Sequence, residues 1–295
     1  VVEQWYIWPY PILEISERNL NVWWEEFKES NYSDFSRLNY GIIFDWRNFR
    51  GRNESLTLKI RRGFKEHYLI KYSNPYIDKN KIFGFTTKVE LFQRRKSFYK
   101  TENNELLYIE NSQEYTTKDL QASTILKYRK GTQETHKIGL SYFRTIANDS
   151  IALNNPNYLG NLSNSGNYYR IKYEYHNENR DYTEYPTNGH YFYITAAKYI
   201  PGNSPVKHIE LIAKLEKYIE PIEEIFVGSS FKTKWSSKEF QPYFAEKGLG
   251  FENYVRGYEY YVIDGQKYWI SKTALRHPLV NKVNFEIPYI KINQF

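Results

Sequence analysis

The chain has 295 residues and a net charge of +7, from 41 Lys and Arg against 34 Asp and Glu, with no cysteine and no methionine. Zero cysteine excludes disulfide scaffolds, zinc knuckles, iron–sulfur clusters and thiol nucleophiles, and without a run of about 18 apolar residues there is no transmembrane helix. Aromatic residues make up 19% of the chain but hydrophobic residues only 41%, so the apolar surface is concentrated in 30 Tyr, 18 Phe and 7 Trp, and a helical protein is not expected.

The chain opens on Val1, and without a methionine it reads as a processed or partial chain. A first strand is expected from Trp5 to Ile15 and a second from Tyr40 to Arg47. In Glu54 to Arg61, Leu56, Leu58 and Ile60 alternate with Ser55, Thr57, Lys59 and Arg61. Tyr68 to Asn74 follows. In Ile82 to Leu91, Phe83, Phe85, Val89 and Leu91 oppose Gly84, Thr86, Lys88 and Glu90. Leu120 to Arg129 and Lys137 to Phe143 come next. Tyr169, Ile171, Tyr173 and Tyr175 then alternate with Arg170, Lys172, Glu174 and His176. Further strands are expected at Tyr191 to Lys198, Ile209 to Glu216 (where Ile212 breaks the pattern), Ile225 to Trp235 and Lys267 to Leu275. Successive strand side chains point to opposite faces, so each segment carries one apolar and one charged face. The total is about twelve strands, each roughly 8–12 residues, the length a tilted strand needs to cross a bilayer.

Short turns fall at Arg50 to Asn53, Asp78 to Lys81 and Gly131 to Glu134. Long polar loops fall at Glu17 to Asn39, Tyr99 to Gln113, Ser150 to Gly166 and Ser236 to Gly265. Short turns on one side and long loops on the other describe an up-and-down transmembrane β-barrel. Phe64 to His67 (short) and His176 to Gly189 (long) depart from the rule. The alternative is a soluble sandwich or meander, but such a sheet rarely places Lys, Arg and Glu at nearly every inward position. Tyr40, Trp46, Tyr68, Tyr76, Tyr99, Tyr128, Tyr199 and Trp235 stand at strand ends, where an aromatic girdle lies.

A pI near 9.1 invites a nucleic-acid reading. The basic residues alternate along strands instead of forming a stripe, and Arg61–Arg62 and Arg94–Arg95–Lys96 can meet lipid head groups. We therefore expect outer-membrane lipids, and no nucleic acid, as partners. The six histidines form no HExxH and no paired site, and no nucleophile elbow, Walker loop or GxGxxG follows a strand. Neither catalytic nor metal-binding residues are assigned, and no enzyme is expected.

Two stretches add a resemblance. Asn48-Phe49-Arg50-Gly51-Arg52-Asn53-Glu54 leads into Leu56-Thr57-Leu58 and then Tyr72-Ser73-Asn74-Pro75-Tyr76-Ile77. It is similar to the first periplasmic turn and hairpin of BamA/TamA-type outer-membrane assembly barrels, with Asn48, Phe49 and Gly51 as the turn motif. Val255-Arg256-Gly257-Tyr258, inside the last long loop, resembles the Val-Arg-Gly-aromatic motif of that family's sixth extracellular loop. The opening Trp5-Tyr6-Ile7-Trp8-Pro9, with Asn21-Val22-Trp23-Trp24, resembles the Bacteroidetes-type version.

The resemblance implies a barrel of about 16 strands, so a single barrel domain spanning residues 1–295 would lack its last strands and the preceding POTRA repeats. It implies insertion or export of other outer-membrane or surface proteins, without a cofactor, with client proteins and accessory lipoproteins or other complex subunits as partners. In the family the loop arginine pairs with an acid on the inner wall. The Phe-x-Asp-Gly strand that supplies it is missing, which leaves Glu286 as the substitute. The first strand, with Trp5, Tyr6, Ile7, Trp8 and Pro9, would form a lateral gate, and Pro9 and Pro11 suit an edge. A passive porin-like pore, a barrel anchoring a fused enzyme, and a structural subunit of a secretion complex remain open alternatives.

Overall fold

The computed structural model describes residues 7–16, 20–111, 113–160, 164–238, 241–258 and 261–279. Fourteen strands run through them: β1 (Ile7–Ile15), β2 (Leu38–Phe49), β3 (Glu54–Gly63), β4 (Lys65–Asn74), β5 (Phe83–Arg94), β6 (Lys96–Glu102), β7 (Glu105–Glu110), β8 (Thr117–Lys130), β9 (Glu134–Ala147), β10 (Ser165–Arg180), β11 (Gly189–Pro201), β12 (Ile209–Ile222), β13 (Ile225–Ser236) and β14 (Tyr268–Arg276). Two helices, α1 (Leu20–Glu29) and α2 (Asp149–Asn154), lie in connections. Among the described residues no helix is long and apolar enough to cross a membrane.

Twelve strands form one antiparallel sheet in chain order, β1 through β5 and then β8 through β14; β6 and β7 form a separate hairpin. The twelve are those the alternation predicts. Among the described residues β1 and β14 do not pair with each other, so the sheet is an open, partial barrel.

The register carries one face intact from strand to strand. Leu13 stands opposite Tyr40, Ile60 opposite Tyr68, Ile70 opposite Val89, and Phe85 opposite Leu126. Leu140 stands opposite Ile171, Tyr173 opposite Ala196, and Leu211 opposite Trp235. On this face Leu13, Ile70, Leu126, Ile138, Leu140, Ile171, Leu215 and Phe231 are exposed. A continuous apolar belt of that extent in water would be an aggregation surface; facing lipid it is the membrane-spanning surface.

The opposite face is polar and internally paired. Arg61 meets Glu14 at 2.9 Å, Lys88 meets Glu90 at 2.5 Å, Arg94 meets Asp119 at 2.9 Å, and Arg180 bridges Glu178 and Glu216 at 2.6 and 2.8 Å. Lys172 pairs with Glu174 and Lys214 with Glu216. One strand length thus satisfies lipid outside and ionic pairs inside, which reconciles bilayer residence with a mean hydropathy of −0.73.

The buried apolar cluster lies at the loop end, where β9 finishes, and not along the membrane belt. Ala147, Ile151, Tyr158, Leu159 and Tyr243 form it, with Phe98, Tyr99, Ile109 and Phe244 packed around. Asn148 caps α2 by accepting from the Ile151 amide at 3.1 Å, and Asn155 donates to the Tyr99 carbonyl at 2.6 Å.

Three expectations need correction. The Tyr99 to Gln113 region is the β6–β7 hairpin, closed by Asn103 and Asn104 at φ 52° and 63°, the left-handed pair a two-residue turn needs. The Glu17 to Asn39 loop contains α1, stopped where the Tyr32 amide reaches the Phe27 carbonyl and the Asn31 amide the Lys28 carbonyl. Not every predicted girdle aromatic faces lipid. Tyr199 has inward parity and stacks on His208 at 4.1 Å, and Tyr99 packs under the loops.

Candidate functional site: a loop fastened across the charged wall

The connection between β13 and β14, residues 237–267, folds back across the inner face. It starts with a 3₁₀ turn at Tyr243–Ala245 that seats Tyr243 in the apolar cluster, where its hydroxyl shares a 2.8 Å hydrogen bond with the Thr101 hydroxyl of β6. Burial pushes the Tyr243 hydroxyl up to about 12. Phe98 packs against both Tyr243 and Phe251, at 6.1 and 5.8 Å between ring centres. Further along, the Val262 amide donates to the Asn104 carbonyl at the tip of the hairpin.

Two lysines of β13 fasten the loop to the wall. Lys234 Nζ donates to the Lys247 carbonyl at 2.9 Å and sits 3.1 Å from Glu210 of β12, with the Lys234 side chain only 8% exposed. Lys232 Nζ donates to Asn253 Oδ1 at 3.1 Å, and Asn253 Nδ2 donates to the Tyr268 hydroxyl of β14 at 3.1 Å. The Lys247 ammonium is pushed down by desolvation beside the wall and then by the Arg94 guanidinium. Glu246 is raised by burial and by the neighbouring Asp264, and Asp264 is raised by its own burial.

Between loop and wall lie two cavities of about 540 and 510 Å³. Arg94, Asp119, Phe143 and Lys247 line the first; Arg170, Glu210, Lys232 and Phe251 line the second. Ile212, the break in the β12 alternation, also faces the second. Among the described residues no group of His, Asp and Glu has metal-site geometry.

The Val255–Tyr258 motif sits on the far side of this loop. All four residues are exposed, the Tyr258 amide closes a turn on the Val255 carbonyl at 2.9 Å, and Gly257 takes φ +83°. Among the described residues Arg256 makes no ion pair, while Val255 and Tyr258 line an apolar cleft with Leu249, Tyr261 and Ile263. Glu286 lies outside the described residues. The contacts that fasten the loop come from Lys247 and Asn253 instead, which no motif announced. Their one signal in the sequence is Lys232 and Lys234, same-parity inward lysines on the strand before the loop.

The two stretches that carry the periplasmic-turn resemblance meet in space. Asn48 takes φ 51° and accepts the Asn53 amide on Oδ1 at 2.8 Å, and Gly51 takes φ +74°. Arg50 grips the Glu54 carboxylate in a fork at 2.8 and 3.0 Å and reaches the Tyr72 hydroxyl at 2.8 Å. Asn74 Nδ2 donates to the same carboxylate at 3.2 Å, so the turn and the Tyr72–Asn74 stretch form one polar knot. Phe49 packs edge-on to Trp46 at 4.8 Å.

At the free edge, Ile7, Trp8 and Pro9 belong to β1, whereas Trp5 and Tyr6 lie outside the described residues. Pro9 stands opposite Phe44 and Pro11 opposite Ile42, on the same parity. Proline has no N–H, so β1 lacks two ladder donors on one alternating set.

The Omp85 superfamily domain matches residues 48–287. BamA from Haemophilus ducreyi lacking POTRA domains 1–3 superposes with a TM-score of 0.64 at 15% identity, covering 84% of this chain and 52% of that one. CdiB from Escherichia coli superposes with a TM-score of 0.52 at 10% identity, covering 96% and 50%. The chain therefore spans about half the length of these solved structures. No curated protein matches the chain in sequence.

Proposed function

Since the chain belongs to the Omp85 superfamily, we propose that residues 1–295 are a single barrel domain in a bacterial outer membrane that inserts or exports other outer-membrane or surface proteins. The observation that carries this reading is the β1 edge. It is long, apolar outside, paired only to β2 among the described residues, and blunted by Pro9 and Pro11. An edge of unpaired backbone groups templates an incoming strand by β-augmentation. Proline at two positions weakens any closing pair, so Ile7 to Pro9 would part first, as a lateral gate. The fastened loop 237–267 supports the same reading, because it covers the loop side of the lumen and sends a client toward the edge.

For Val255 to Tyr258 we propose a second fastening, with Arg256 pairing to an acid of the wall, Glu286 being the candidate; a permanent guanidinium in a polar lumen favours a bidentate carboxylate. Clients, accessory lipoproteins or other complex subunits are the proposed partners, and the process needs no covalent chemistry and no cofactor. The Trp-rich opening supports a Bacteroidetes-type host.

Depletion followed by outer-membrane proteomics tests the proposal. Abundance of other barrel proteins or surface lipoproteins falls if it is right, and an unchanged profile refutes it. Planar-bilayer recording separates it from a passive pore: a large, steady conductance indifferent to loss of the loop contacts would favour the pore.

A further inference from the structure

The outer face changes character at its loop-side margin. One row of the sheet, read across registered neighbours, runs Ile42, Ile60, Tyr68, Leu91 and Leu120 and is apolar. The next row toward the loops begins with Tyr40 beside Arg62; Glu66 then stands beside Gln93, and Gln93 beside Lys118. One step beyond, Arg95 follows β5 on the same parity. On β9 the boundary shifts, with Arg144 opposite Leu120 in the first row and Ile146 opposite Lys118 in the second. From β2 to β8 the apolar belt thus gives way, at one height, to a polar row that carries Arg62 and Lys118, as the hydrocarbon of a leaflet gives way to its head groups.

These cations form a built cluster. Glu66, only 9% exposed, accepts from the Tyr68 hydroxyl at 2.8 Å and lies 3.8 Å from Arg62. Tyr115 directs its hydroxyl toward the same carboxylate. The Tyr115 ring carries Arg95 at 4.7 Å on its face and Lys118 at 5.7 Å. Arg62 remains 62% exposed and Lys118 is exposed. Three cations, Arg62, Arg95 and Lys118, gather around one buried carboxylate, and counting the exposed Glu114 of the loop still leaves an excess of one positive charge. Arg62 and Lys118 are three strand spacings apart, about 14 Å, room for more than one phosphate.

We propose that this margin is a binding site for the phosphate-bearing head groups of lipids in the leaflet on the loop side. The proposal rests on the membrane-barrel reading and goes beyond the insertion function. An aromatic ring and a buried acid hold the arginine and lysine heads at head-group height. Phosphate oxygens match the guanidinium forks, and the acyl chains lie on the Ile60, Ile70 and Leu91 belt below.

The test uses the full protein in phosphatidylcholine nanodiscs doped with a bisphosphorylated lipid A or with its dephosphorylated analogue, and counts retained lipid by native mass spectrometry. The wild type should retain the phosphorylated form, and R62Q/K118Q should retain about tenfold less. Both residues are exposed, so the variant folds, and resistance to unfolding in detergent verifies this. K217Q, which removes an exposed outward cation near the other end of β12, should behave as wild type. Equal retention of the two lipids, or equal loss in K217Q and R62Q/K118Q, would overturn the proposal. Client insertion measured in the same preparations separates the two readings. Normal insertion without phosphate preference sinks only the lipid site, and failure to enter nanodiscs at all sinks both.

Discussion

Replacing Lys234 with Met keeps the side chain's volume and removes its ammonium. The loop then loses the 2.9 Å hydrogen bond from Lys234 Nζ to the Lys247 carbonyl. A charge-assisted bond of this kind contributes about 1.5–3 kcal/mol. The variant also leaves Glu210 without the cation that sits 3.1 Å away, but that loss is common to the fastened and lifted loop and cancels in their equilibrium. At 1.4 kcal/mol per decade, lifting becomes roughly 10- to 150-fold more frequent. Trypsin reads this directly. Cleavage after Lys247 requires its carbonyl to come off Lys234 and the backbone to lift, whereas cleavage after the exposed Arg256 does not. When opening is fast relative to cleavage, initial rates track the open population. K234M should accelerate the Lys247 cut by that factor and leave the Arg256 cut unchanged. E210Q, which spares the hydrogen bond to the loop, should lower heat resistance with little effect on the Lys247 cut. Equal Lys247 rates in wild type and K234M, or the same acceleration in E210Q, would refute the reasoning.

Tyr243→Ala should empty the centre of the loop-side apolar cluster at a cost of about 3 kcal/mol, and planar-bilayer recording should show larger and noisier openings than wild type. Glu246 and Asp264 both have raised carboxyls, so their native forms favour the proton. Their stabilisation is complete below the ordinary values of 4.5 and 3.8 and is lost as pH rises through the raised ones. Hydrogen-exchange protection over residues 241–258, corrected for the intrinsic pH dependence of exchange, should therefore increase on acidification from neutral pH, and E246Q/D264N should flatten the profile. Asn48→Ala removes a side-chain acceptor and puts alanine, which tolerates the left-handed region less well than asparagine, at φ 51°. It should cost about 1–2 kcal/mol, seen as a lower midpoint of heat-induced unfolding in detergent. If the second fastening proposed for the exposed motif holds, Arg256→Ala should slow client insertion several-fold and Arg256→Lys should rescue it only partly, because one ammonium cannot reproduce a bidentate fork.

Strand existence was readable because a sheet with lipid on one side and paired charges on the other has a strict period of two, and Leu56 to Arg61 or Tyr169 to His176 display it without tertiary help. The turn at Asn48 to Glu54 was equally readable, since its left-handed positions fall on Asn48, Arg50, Gly51 and Asn53. Period alone could not say which aromatics face lipid. Tyr199 and Tyr128 both end strands, and only the register places one over His208 inside and the other outside beside His136. Nor could it identify the fastening of the loop. Lys234 and Lys247 are separated by a run with no repeat, and their bond depends on a backbone carbonyl that any residue could supply. A period of two is a property of one strand and is written in its own residues. The closure of a loop over a wall depends on the relative placement of segments distant in sequence, and only the tertiary structure decides it.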